Sequence, residues 1–168
     1  MAKKSPSALY PVIVLFLLAA ISLADNPIVQ TCYTADPAPM VHNGRVYLFT
    51  SHDDDEIEDN FYTMRDYYCF SSADMVNWTN HGIVATLKEF KWITVNNGAW
   101  APQCIERDGK FFLYVPIHGK GIGVLVADSP TGPFKDPIGK ALINKNGYSD
   151  IDPTVFIDDD GQAYLYWG

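Results

Sequence analysis

Two aspartates in this 168-residue chain, Asp36 and Asp152, each stand immediately before a proline at the start of an apolar, strand-like run. The corresponding place in a third such run, Ala101-Pro102, is preceded by Trp100. A proline biases the residue before it toward extended backbone, so the sequence predicts that both carboxylates project from extended strand starts in a fixed direction. Two carboxylates held apart beside an aromatic wall suit the hydrolysis of an acetal: one activates water, and an acid roughly 6.5–9.5 Å away protonates the leaving oxygen. The plainer alternative is an Asp-Pro pair that only caps a turn.

The elements that must position these residues repeat. Asp36 to Phe49, Ala101 to Tyr114 and Asp152 to Tyr166 each run from a proline-led apolar strand through a glycine turn into a strand rich in Tyr and Phe. The turn glycines Gly44, Gly109 and Gly161 lie 65 and 52 residues apart, as expected for one all-β unit of about 50 residues with insertions. A second element repeats out of phase. Tyr68 to Trp78 and Gly123 to Phe134 each read as a strand, an Asp/Ser/Pro turn and a short fourth strand carrying an aromatic residue. Four antiparallel strands per unit, radially repeated, describe a propeller blade. The expected boundaries are about 36–88 for blade one, about 99–143 for blade two and 152–168 for the opening of blade three. Equivalent strand starts in such a repeat surround one channel, which brings Asp36 and Asp152 toward a common axis.

Composition narrows the partners. Twenty acidic residues against 12 basic ones give a formal charge of −8, and no basic stripe is present to follow a phosphate backbone, which argues against nucleic acid. Aromatic residues reach 14%, suiting sheet packing and sugar stacking alike. Residues 1–24 read as a signal peptide: Lys3 and Lys4, a short apolar core, then Ser22-Leu23-Ala24 before Asp25. The expected product is secreted, extracellular or periplasmic, with no membrane attachment after cleavage. Cys32, Cys69 and Cys104 allow one disulfide and a free thiol, or three buried thiols. Asn77-Trp78-Thr79 is a glycosylation sequon. The acidic run from Asp53 to Asp59 reads as a solvated loop. Of the four histidines none has a metal-ligand spacing, and His52, near the end of the second strand, is the one placed to face a substrate.

Several segments together resemble glycoside hydrolase family 43. They are Asn26-Pro27-Ile28-Val29-Gln30, Thr34-Ala35-Asp36-Pro37-Ala38-Pro39, Trp100-Ala101-Pro102 and Ser149-Asp150-Ile151-Asp152-Pro153-Thr154-Val155-Phe156. Asp159-Asp160-Gly161 and Tyr164-Leu165-Tyr166-Trp167-Gly168 complete the set, so the resemblance covers nearly everything after residue 24. It is strongest to arabinoxylan arabinofuranohydrolases, with secreted β-xylosidases next. The resemblance implies a five-bladed β-propeller, of which about two and a half blades are present, and hydrolysis with inversion of α-L-arabinofuranosyl groups on arabinoxylan or xylo-oligosaccharides. It assigns Asp36 as general base and Asp152 as the residue that orients the general acid and raises its pKa, with Trp100 lining the sugar pocket. It places the general acid, a glutamate, in a later blade, so the 168 residues by themselves are expected to be inactive. No cofactor is expected in these residues; a structural calcium ion is implied for the full-length protein, through a histidine of a later blade. The alternatives are a β-D-xylosidase and a non-catalytic carbohydrate-binding propeller remnant. A fructan-cleaving relative fits less well, because Pro-Ala-Pro follows Asp36.

Overall fold

A computed structural model describes residues 27–168; the expected signal peptide lies outside the described residues. The chain is all-β. Among the described residues nine strands form three antiparallel sheets, and the only helical turns there are single 3-10 turns at Leu87–Glu89 and Gly147–Ser149. The first sheet has the order β1 (Tyr33–His42), β2 (Arg45–Asp53), β3 (Asp66–Ser72), β4 (Thr79–Thr86). The second contains β5 (Gln103–Arg107), β6 (Lys110–Ile117) and β7 (Gly121–Ala127), and the third is the hairpin of β8 (Thr154–Ile157) and β9 (Ala163–Tyr166). These are two and a half blades of a propeller.

The turns follow from their residues. Asn43-Gly44 and Asp108-Gly109 join strands whose last pairs are His42–Arg45 and Arg107–Lys110, so each loop has two residues. All four loop residues have positive φ, from 49° to 74°. That is the turn whose twist matches the flanking strands, and Asn-Gly and Asp-Gly are its preferred pairs. The third copy differs: Ile157 pairs with Ala163, and Asp158 to Gln162 close a longer loop around Gly161.

First strands of successive sheets pack side by side, β1 beside β5 and β5 beside β8. Gln103 locks the second contact with its amide. Val155 N–H donates to Gln103 Oε1 at 2.6 Å, and Gln103 Nε2 donates to Val155 O at 3.3 Å. The core lies between the first two sheets, where Phe49, Tyr67, Cys69, Leu113, Ile117 and Leu125 are each completely buried. Each such large side chain contributes about 1.5–3 kcal/mol by leaving water. Gly123 on β7 is required by close approach: a Cβ there would fall 2.5 Å from the Phe90 ring.

Some expectations need correction. The fourth strand of the second unit reduces to two isolated bridges, Lys135 with Val126 and Ile143 with Ile122. Its aromatic, Phe134, is buried against Phe49 instead (ring centroids 6.2 Å). Trp78 likewise precedes β4 rather than lying in it. Tyr164 and Tyr166 are exposed, since β9 pairs only with β8 among the described residues. The three cysteines are free thiols, and burial pushes the Cys69 thiol up to about 12, out of the reactive range.

Candidate functional site

Asp36 sits on a β-bulge. Ala35 pairs with Ser51 and Ala38 with Phe49, so Asp36 and Pro37 together stand opposite the single residue Thr50. Proline tolerates such a place because the extra residue makes no ladder bond. The bulge also breaks the strict alternation of sides. Ala35 and Asp36 both line one cleft, whereas Pro37 lines a cavity with Leu48 and Thr50.

The backbone here is not extended. Asp36 has φ 52°, Asp152 has φ 50° and Ala101 has φ 22°, so the residue before the proline is left-handed in all three copies. The extended backbone expected from the following proline is overridden. At Asp36 the extra residue has to be accommodated within a paired strand, and aspartate tolerates positive φ better than most residues. Such conformations cost on the order of 1–3 kcal/mol and persist only where the surroundings over-determine them. For Asp36 that support is Ser51, completely buried, whose hydroxyl lies 3.1 Å from both Ala35 O and Asp36 Oδ2.

The cleft holds about 380 Å³ and is lined by Ala35, Asp36, Asp53, Phe61, Tyr62, Met64 and Trp100. Trp100 forms its far wall, half-buried, with its ring 4.1 Å from His118 and 6.0 Å from Phe61. Burial holds the His118 imidazole below its ordinary pKa, so this ring packs as a neutral group at pH 7. Asn97 fixes the Tyr62–Met64 segment against the Trp100 segment. Its Oδ1 accepts from Met64 N (2.8 Å) and Gly98 N (2.7 Å), and its Nδ2 donates to Tyr62 O (2.8 Å). Nothing in the sequence pattern marked Asn97, because its partners lie 33 and 35 residues away.

His52 does not reach this cleft. Side chains alternate along a strand, and on β2 Ser51 and Asp53 take one side and His52 the other. The His52 imidazole is 2.9 Å from Asp66 on β3 and lines a separate cavity of about 460 Å³ with Thr31, Cys32 and Asp54. Asp53, read from sequence as the start of a solvated loop, is the residue that enters the cleft. The rest of that acidic run is partly tied down, since Arg65 pairs with both Asp54 and Glu58. His52, Asp54 and Asp66 could together approach a cation, but His52 and Asp66 are already bonded to each other and Asp54 is neutralised by Arg65.

Asp152 is exposed at the start of β8 and does not line the Asp36 cleft. Its segment is anchored by Asp150, only 1% exposed. Asp150 Oδ2 accepts from Lys145 N (2.7 Å) and Asn146 N (2.8 Å), and its Oδ1 from Trp167 Nε1 (3.1 Å). Burial alone would raise this carboxyl; the amides of Asn146 and Lys145 and the Trp167 indole outweigh it and hold the pKa below the usual range. A depressed folded pKa gives stability that is present above the unfolded value, about 3.9, and lost as the pH falls through the folded value. Asp150→Asn is therefore expected to cost about 1–3 kcal/mol at pH 7. The difference from wild type should shrink as the pH falls through the folded value, below about 3.9, as read from thermal melts at falling pH.

Comparison with protein-family models matches residues 24–168 to Glycosyl hydrolases family 43. This chain belongs to that family. Among its family 43 relatives, the arabinoxylan arabinofuranohydrolase of Bacillus subtilis (strain 168) is 43% identical over 169 residues, covering 85% of this chain and 32% of the relative. Xylosidase/arabinosidase 43A of Humicola insolens is 41% identical over 157 residues, covering 84% of this chain and 45% of the relative. The family 43 β-xylosidase/α-arabinofuranosidase CoXyl43, from a compost metagenome and solved with xylotriose, superposes with a TM-score of 0.71 at 41% identity. That match covers 83% of this chain and 44% of CoXyl43. The chain thus spans from about a third to under a half of the length of these proteins, which form five-bladed propellers where family 43 structures are known.

Proposed function

We propose that this chain supplies the base side of a secreted, inverting exo-glycosidase that removes α-L-arabinofuranosyl groups from arabinoxylan. The observation that carries the proposal is Asp36, held by Ser51 on a left-handed bulge inside an aromatic-walled cleft. A sugar stacked on Trp100 presents its anomeric carbon to a water beside Asp36. The carboxylate takes one proton as the water oxygen bonds to that carbon. The glycosidic C–O bond breaks on the opposite side, and its electron pair goes to the leaving oxygen, which takes a proton from the general acid. By family resemblance that acid is a glutamate outside these 168 residues, and Asp152 orients it. The names of the Bacillus and Humicola relatives support an arabinoxylan substrate. The xylosidase part of the Humicola name favours β-D-xylosidase as the second reading.

The test is time-resolved NMR of the sugar released from arabinoxylan by the whole gene product. Arabinose appearing first as the β-anomer is the expected result. Xylose in its place establishes the second reading, arabinose appearing first as the α-anomer overturns inversion, and no release leaves a carbohydrate-binding propeller.

A further inference from the structure

Asp53 has an environment unlike that of any other carboxylate in the acidic run. It ends β2, two residues beyond Ser51 and on the same side of the strand, so it enters the cleft that Asp36 and Trp100 line. The other lining residues, Ala35, Phe61, Tyr62, Met64 and Trp100, surround it with largely apolar surface. Desolvation raises the Asp53 pKa, the charge of Asp36 adds to the rise, and His52 works against it.

Its neighbours are occupied: Asp54 by Arg65, Asp66 by His52, and one oxygen of Asp36 by Ser51. Among the described residues no hydrogen-bond donor is engaged with the Asp53 side chain. A carboxylate half-shielded from water and without a protein donor is free to accept from a ligand that brings O–H groups. Sugar ring hydroxyls are such donors, and the two oxygens of a carboxylate match a neighbouring pair of them.

We propose that Asp53 is a specificity-determining residue that accepts hydrogen bonds from ring hydroxyls of the sugar seated against Trp100. Asp36 is thereby left to the attacking water. This rests on the glycosidase reading above, and it goes further by assigning recognition and base chemistry to two different carboxylates of one cleft.

The test compares wild type, Asp53→Asn and Asp53→Ala of the whole gene product on a nitrophenyl arabinofuranoside and on its 2-deoxy and 3-deoxy analogues, with a thermal melt of each variant. Loss of a hydrogen bond to a charged acceptor in Asp53→Ala is expected to raise KM about 10- to 100-fold, with kcat within about threefold, and Asp53→Asn, whose amide oxygen still accepts, by less. The decisive readout is the coupling. Removing the bonded hydroxyl should weaken wild type strongly and the folded Asp53→Ala variant hardly at all. Equal deoxy penalties in both proteins, or a fall in kcat at constant KM, overturn the proposal. Should the wild type release no sugar, the glycosidase reading fails separately. Binding of an arabinoxylo-oligosaccharide, followed by tryptophan fluorescence, must then still weaken in Asp53→Asn, and its failure to do so, or the absence of any binding, overturns the role of Asp53 as well.

Discussion

Asp36→Asn is expected to lower kcat of the whole gene product by about 10²–10⁴-fold while KM stays within about threefold, the span that general acid–base catalysis contributes. Asparagine keeps the volume of the side chain and retains an oxygen to accept the Ser51 hydroxyl, so the bulge has no steric reason to rearrange. What it loses is the ability to take a proton from water. Initial rates on a nitrophenyl arabinofuranoside, alongside a thermal melt of the variant, measure both quantities. A parallel loss of binding would mean that Asp36 holds the sugar; an unchanged kcat would remove it from the chemistry.

A second large effect is expected of the 168 residues expressed without further sequence: no release of arabinose above background. Inversion needs a proton donor on the face of the sugar opposite the base; of the four glutamates, Glu56 is exposed on the separate His52 cavity, and the other three are engaged elsewhere. Glu89 pairs with Lys135 at 2.8 Å, Glu106 accepts the Gly109 amide in a hairpin turn, and Glu58 pairs with Arg65. Asp53 shares the cleft, but it stands on the strand paired with that of Asp36 and so flanks the base instead of facing it. The check is sugar release by the purified chain, followed to long times. Activity that disappears in Asp36→Asn would show that an acid lies within these residues, with Asp53 the first to replace.

Much of the architecture could be read from residue types because its determinants are local. Asn43-Gly44 and Asp108-Gly109 name their turns, and alternating apolar residues name the strands on either side. The pairing of Asp36 with Trp100 across one cleft follows from equivalent positions in repeated units. The failures share another cause. Which side of β2 faces the cleft depends on a one-residue register, and an error of one exchanges His52 for Asp53. The left-handed backbone at Asp36 opposes the local preference set by Pro37, and it becomes intelligible only once the Ala35–Ser51 and Ala38–Phe49 pairings are known. Asn97 and Asp150 act on partners brought close by the fold, Asp150 on Trp167 17 residues away, and composition carries no trace of such contacts.

The strand orders also bear on how the molecule assembles. Every hydrogen-bonded neighbour in the three sheets is consecutive in sequence, so no sheet has to wait for a distant strand to arrive. Topologies of this kind have short loops to close and fold faster than sheets stitched from remote segments. During synthesis the β1–β4 meander can form as soon as it leaves the ribosome, with the later sheets added in turn. The Gln103 clamp on Val155, bridging 52 residues, would be among the later contacts to close. Substitutions there should therefore speed unfolding while leaving the folding rate nearly unchanged.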